Sequence, residues 1–206
     1  MDRDGYSRLP RCMKGFCGKT FREISISKLG GNNAKYCVKG SHASSITAVD
    51  FDSVKKKLYG PLCKKTKRMP ASVDALFCSG RIFYGIEFKT GDTNATDIVR
   101  KIYDTAICMM EHCKKTLIWV RDYFQVVVVA KSLEVENAEK QRRKAVQRYK
   151  VNTVIGRSRS FQQYPRIGDG AIPLWGLDKI EGLIANRIFT ITPKEFEELC
   201  ERNDWC

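Results

Sequence analysis

The sequence predicts a mixed α/β domain in which helices cover a central sheet. Three observations carry this. Val73–Lys89 reads as a β-hairpin, with apolar strands on either side of the turn dipeptide Ser79-Gly80. Phe124–Ala130 is a β-rich run that is almost wholly apolar, as a strand buried on both faces requires. Between them Asp97–Cys113 places Ile98, Ile102, Tyr103, Ala106 and Met109 or Met110 on one side of a helix.

The elements follow in order. Residues 1–43 are rich in Gly, Asn, Ser and Lys and read as a basic irregular N-terminal arm or small subdomain; residues 44–206 read as the α/β domain. Ile46–Phe51 is a strand. Asp52 then caps a short helix, Ser53–Tyr59, which Gly60-Pro61 ends. After the hairpin and its helix, Leu117–Val120 is a short β-rich run. Leu133–Lys150 reads as a long charged helix, and residues 151–175 as loop. Ile188–Ile191 is a late strand. Thr192-Pro193-Lys194-Glu195 has the signature of a helix start, with a Thr cap, Pro at the first helical position and Glu three residues after the cap.

The chain of 206 residues carries 37 Lys and Arg against 23 Asp and Glu, a formal charge of +14. With 43% apolar residues it is too hydrophobic for global disorder. The charge is concentrated. Residues 1–70 hold 16 basic and 5 acidic side chains, so this third supplies most of the excess. Its densest run, Lys55–Arg68, includes Lys64, Lys65, Lys67 and Arg68 and only one kind of charge. Clustered positive charge attracts polyanions through counterion release, which points to a nucleic-acid partner. No apolar stretch approaches the length of a membrane span, and Met1–Asp4 begins no apolar leader. Nine cysteines without such a leader suit a reducing, cytoplasmic setting.

The hairpin carries the chemistry. With Ser79-Gly80 as a two-residue loop, Cys78 pairs with Arg81 and Asp74 faces Gly85. Side chains alternate at period two, so Phe83, Gly85, Glu87 and Lys89 share one face with Asp74. Ile82, Tyr84, Ile86 and Phe88 take the other. Two carboxylates and an ammonium on one patch suit Mg²⁺ or Mn²⁺, hard cations that take oxygen ligands and substrate phosphates.

Asp74, a turn, and Glu87-Phe88-Lys89 at the end of an apolar strand resemble the PD-(D/E)xK nucleases, the restriction-endonuclease-like superfamily. The resemblance spans about residues 72–129. It implies a mixed central sheet flanked by helices, with the aspartate and the E-x-K motif on adjacent strands, and a metal-dependent hydrolysis of phosphodiester bonds. It further implies that Asp74 and Glu87 hold the metal with the Phe88 carbonyl, that Lys89 is the catalytic lysine, and that Lys101 reaches a phosphate. Many such nucleases act as homodimers. The residue before the aspartate is Val73, where proline is common. Family members often add an acid from an early helix, for which Glu23, Asp50 and Asp52 are the candidates. The alternative is a nucleic-acid-binding or assembly protein whose nuclease site is degenerate.

Other signals are weaker. Gly18-Lys19-Thr20 lacks the upstream glycine of a phosphate-binding loop, because that position is Met13. Cys12 and Cys17, with Cys37 and His42, could complete a Cys₃His structural zinc site.

Overall fold

The computed structural model describes residue 13 and residues 18–27, 35–63, 69–91, 94–134 and 173–205. The charged helix expected over 133–150 falls mostly outside these residues, as does most of the loop expected over 151–175.

A six-stranded mixed sheet forms the centre. Its strands, in chain order, are β1 (Gly18–Thr20), β4 (Thr47–Asp50), β5 (Ala75–Ser79), β6 (Ile82–Lys89), β7 (Phe124–Ala130) and β8 (Arg187–Ile191). They lie side by side in that same order. The first four run antiparallel to their neighbours; β6, β7 and β8 are parallel. A separate two-stranded ribbon pairs β2 (Ile26–Ser27) with β3 (Lys35–Tyr36). Within the stretch read from sequence as an arm, β1 edges the main sheet and Phe21 enters the core. Gly18-Lys19-Thr20 is thus an edge strand. Helices α3 (Phe51–Cys63), α4 (Ala95–Cys113) and α5 (Leu117–Tyr123) contribute to the core on one face of the sheet. On the other face lie α1 (Phe21–Ile24), α2 (Ser41–Ser45) and α6 (Pro193–Arg202). Among the described residues no helix is long and apolar enough to cross a membrane.

The two cores follow from strand alternation. Val126 and Val128 join Leu76, Phe83, Phe124 and Ile188 beneath Ile98, Ile102 and Met109 of α4. Val127 and Val129 turn the other way, against Phe77, Tyr84, Ile86 and Phe88. There the rings of Phe21, Phe196 and Trp205 close the layer, with Phe21–Phe196 centroids 5.3 Å apart and Phe77–Trp205 4.7 Å apart. Every residue of β7 is buried, Gln125 included, which agrees with its almost wholly apolar sequence.

Three local expectations are corrected. The helix after β4 runs through Gly60-Pro61 to Cys63. Proline here removes one hydrogen bond near the end of a helix already held by Phe51 and Val54 in the core. Leu117–Val120 is helical, because Thr116 caps it, accepting from Trp119 N at 3.1 Å. The hairpin turns one residue later than expected: Ser79 pairs with Ile82 and Cys78 with Phe83, so Gly80-Arg81 is the loop. Gly80, at φ +61°, takes the first loop position, where a left-handed conformation favours glycine. Moving the loop by one residue moves each pairing by two, and two is the period of side-chain alternation. Gly85 therefore faces Leu76 and not Asp74, yet every side chain keeps its expected face.

Gly85 itself has a packing reason. A Cβ there would sit 2.7 Å from Phe124 Cε2 and 2.8 Å from Cζ, and that ring is fully buried. Gly85→Ala should therefore lower stability by about 1–3 kcal/mol through overpacking. Urea denaturation of the two proteins checks this: a lower midpoint with an unchanged slope is expected.

Candidate active site

The site begins with a four-residue strap, Ala71–Asp74, that leads into β5. Each residue of the strap is fixed separately. Ala71 N donates to Asp104 Oδ2 at 2.7 Å, and Val73 N to Thr105 Oγ1 at 3.0 Å, both from α4. Ser72 Oγ donates to Asp52 Oδ1 of α3 at 2.9 Å. Asp74 O accepts from Phe51 N at 3.0 Å. Asp97, Lys101 and Asp104 recur at helical spacing beside the buried stripe of Ile98, Ile102 and Thr105, so α4 turns a polar edge toward the strap and β6. The strap was not legible as such. The signal for it was the three- and four-residue spacing of acids and Thr on α4.

Strap, β6 and α4 together bring Asp74, Glu87, Lys89 and Lys101 to one point. Asp74 Oδ2 accepts from Phe88 N at 2.7 Å, which bonds the aspartate across to the E-x-K strand. Lys101 Nζ lies 3.2 Å from Asp74 Oδ1 and 2.6 Å from Glu87 Oε1. Lys89 Nζ lies 2.8 Å from the same Glu87 oxygen and 3.5 Å from Asp97 Oδ2. Arg100 closes the network on Asp97 at 2.8 Å. All four sequence-singled residues of the hairpin and the following helix are thus assembled. The patch is deeper than a hairpin face, because α4 covers it: Glu87 has no exposure, while Asp74, Lys89 and Lys101 keep about a fifth of their side chains open at 22%, 17% and 20%.

Burial sets the electrostatics. Loss of water pushes the Glu87 pKa up to about 7, aided by the Asp74 charge and opposed by both lysines. Burial raises Asp74 as well, against the pull of Lys101, the Phe88 N–H and Lys89. For Lys101, burial works against the charged form, but the two carboxylates outweigh it and hold the ammonium protonated well above the ordinary range.

The early acids separate cleanly. Glu23 closes a capping box with Thr20 on α1. Asp50 pairs opposite Ala75, on the sheet face away from the site, and is bound by Lys19 and Ser53. Asp52 is the one tied to the strap. Burial raises its pKa, but Lys55, Ser72 and the charge of Lys101 outweigh that and keep it low. Lys101 therefore links Asp52 electrostatically to Asp74 and Glu87.

Mg²⁺ is often bound by one or two carboxylates together with water and substrate phosphate. The donor set here fits that requirement: Asp74 and Glu87 supply hard oxygens, and Glu87 Oε2 is buried with no hydrogen-bond partner among the described residues. Among those residues no cluster of three or more His, Cys, Asp or Glu side chains forms a cage for a metal. Cys12 and Cys17 lie outside the described residues. Cys37 is buried, and its thiol lies against Lys89 O and Val129 O at 3.8 and 3.6 Å. His42 lies in the first turn of α2, its backbone N–H donating to Glu197 Oε1 at 2.8 Å. The basic residues Lys64, Lys65, Lys67 and Arg68 also lie outside the described residues.

Comparison with protein-family models, characterised proteins and solved structures finds no match for the chain.

The raised Glu87 pKa has a consequence for stability. An unfolded glutamate titrates near 4.5, whereas the folded one holds its proton up to about 7. The folded state therefore binds more protons across this window, and the stability this contributes is full below 4.5 and lost as pH rises through 7. Melting temperature without added metal should fall between pH 5.5 and 8 in the wild type and fall less in Glu87→Gln. Parallel profiles would show that Glu87 does not titrate in this range.

Proposed function

We propose that this chain is a metal-dependent nuclease of PD-(D/E)xK type, with a restriction-endonuclease-like fold, that hydrolyses phosphodiester bonds of nucleic acid. The observation that carries the reading is the convergence of Asp74, at the entry to β5, with Glu87 and Lys89 of the adjacent β6 in a helix-flanked mixed sheet, with one Glu87 oxygen buried and unpartnered among the described residues. The charge of +14 supports a polyanionic substrate.

In this reading Asp74 and Glu87 would hold Mg²⁺ or Mn²⁺, with the Phe88 carbonyl as the further ligand the resemblance implies. The ion, when bound, supplies water activation and neutralises charge on the phosphate. The chain's own residues do the rest. Lys89 stays beside Glu87 and holds a positive charge where the pentavalent phosphate develops its negative one. The Phe88 N–H and the Ala71–Asp74 strap fix the Asp74 carboxylate, so that its orientation needs no reorganisation during the reaction. Lys101 lies between the two acids and has to yield that place, which frees its ammonium for a substrate phosphate.

A second reading has one observation in its favour. Lys101 and Lys89 already balance Asp74 and Glu87, so the cluster is neutral without a metal, as in a nucleic-acid-binding or assembly protein with a degenerate site.

Cleavage separates the two. Fluorescent single- and double-stranded DNA and RNA oligonucleotides, incubated with Mg²⁺ or Mn²⁺, should be cut by the wild type. Lys89→Ala should cut at least about 100-fold more slowly, the scale of losing one preorganised charge stabiliser, while still binding the oligonucleotide. Binding without cutting of any probe by the wild type would favour the second reading.

A further inference from the structure

A cavity of about 410 Å³ lies on the sheet face opposite α4, lined by Cys37, Lys39, Gly40, Lys131, Pro193, Lys194 and Glu197. Its position is defined by the strands. The Cys37 thiol reaches the carbonyls of Lys89 in β6 and Val129 in β7. Lys131 follows the last residue of β7, and Pro193 stands two residues after the end of β8. The cavity is therefore outside the carboxyl ends of the three parallel strands.

Its chemistry is cationic. Lys39, Lys131 and Lys194 are exposed, and none has a carboxylate partner among the described residues. Glu197 is the one acid in the lining. Its Oε1 is engaged by the backbone N–H groups of His42 and Ala43 at 2.8 and 3.0 Å. Its Oε2 is buried beside Gly40 and has no hydrogen-bond partner among the described residues. The α6 N-terminus adds little, since Thr192 and Glu195 satisfy each other and Pro193 has no N–H. Three ammonium groups and this volume suit a phosphate group of a nucleotide chain.

Lys89 joins this cavity to the candidate active site. Its ammonium contacts Glu87 on one side, and its carbonyl contacts the cavity's Cys37 on the other. We propose that Lys39, Lys131 and Lys194 form a phosphate-binding site that takes one backbone phosphate of the nucleic-acid strand on which the Asp74–Glu87 site acts. The inference rests on the nuclease reading for its substrate, and it assigns binding residues outside the basic run Lys64–Arg68.

The test uses the full chain and two probes, a fluorescein-labelled single-stranded 12-mer and 5′-AMP, without divalent metal so that cleavage does not intervene. Lys39→Ala/Lys131→Ala/Lys194→Ala is compared with Arg81→Ala/Arg121→Ala/Lys179→Ala, which removes equal charge from exposed positions that precede β6, β7 and β8 in the chain. The cavity variant should bind the 12-mer about tenfold more weakly, the scale of losing a charged contact. Its salt dependence should shrink by about 0.7 in log–log slope, one phosphate of single strand. The control should stay within about twofold of wild type. Equal losses in both variants, no loss in the cavity variant, or no binding of the 12-mer by wild type would overturn the proposal. Binding of 5′-AMP that depends on the three lysines, with 12-mer binding unchanged, would assign the cavity to free nucleotides and overturn it too. Mn²⁺ affinity should be equal in all three proteins. If no protein binds Mn²⁺ while the 12-mer still depends on the three lysines, the nuclease reading fails and the phosphate site stands.

Discussion

Glu87 is a carboxylate with no solvent exposure in the middle of a sheet, and much of the structure answers that fact. An uncompensated buried charge costs several kcal/mol. Lys89 comes from its own strand, two residues on and so on the same face. Lys101 comes from α4, and can reach Glu87 only because Ile98, Ile102 and Met109 seat that helix on the same face. Asp74 then shares Lys101, and its other oxygen takes the Phe88 N–H. Raised acid pKa values beside a more firmly protonated lysine are the electrostatic result. Such an arrangement is a weak source of stability and a common feature of functional sites.

The strap Ala71–Asp74 turns this electrostatic requirement into geometry. Two backbone N–H groups, a hydroxyl and a carbonyl are each claimed by a different partner on α3 or α4. Asp74 is consequently held from both sides of the chain direction, at the point where the strap becomes β5. Helix α4 has three tasks: covering the core, gripping the strap and supplying Lys101. A disturbance in its packing would therefore reach the site without any substitution of the four charged residues.

Much of this is legible because period-two alternation tolerates a loop displaced by one residue. The loop was expected at Ser79-Gly80 and lies at Gly80-Arg81, yet Asp74, Glu87 and Lys89 still share a face. The capping box at Thr192–Glu195 and the buried strand Phe124–Ala130 were also readable, since each is a local pattern. Leu117–Val120 misled because a short apolar run has no period of its own, and the Thr116 cap decided its state. The depth of the site, the Asp52–Ser72 link and the cavity beside β7 and β8 depend on contacts between residues far apart in sequence, and no local pattern encodes those.

The proposed function stands or falls with a metal site at Asp74 and Glu87. Titrating Mn²⁺ calorimetrically into wild type and into Asp74→Asn/Glu87→Gln at pH 8 tests it most directly. Binding at a single class of site is expected in the wild type and its loss in the variant, with circular dichroism confirming that both are folded. Equal binding by the two folded proteins, or none by the wild type, would contradict it and leave the four charges as a structural ion cluster.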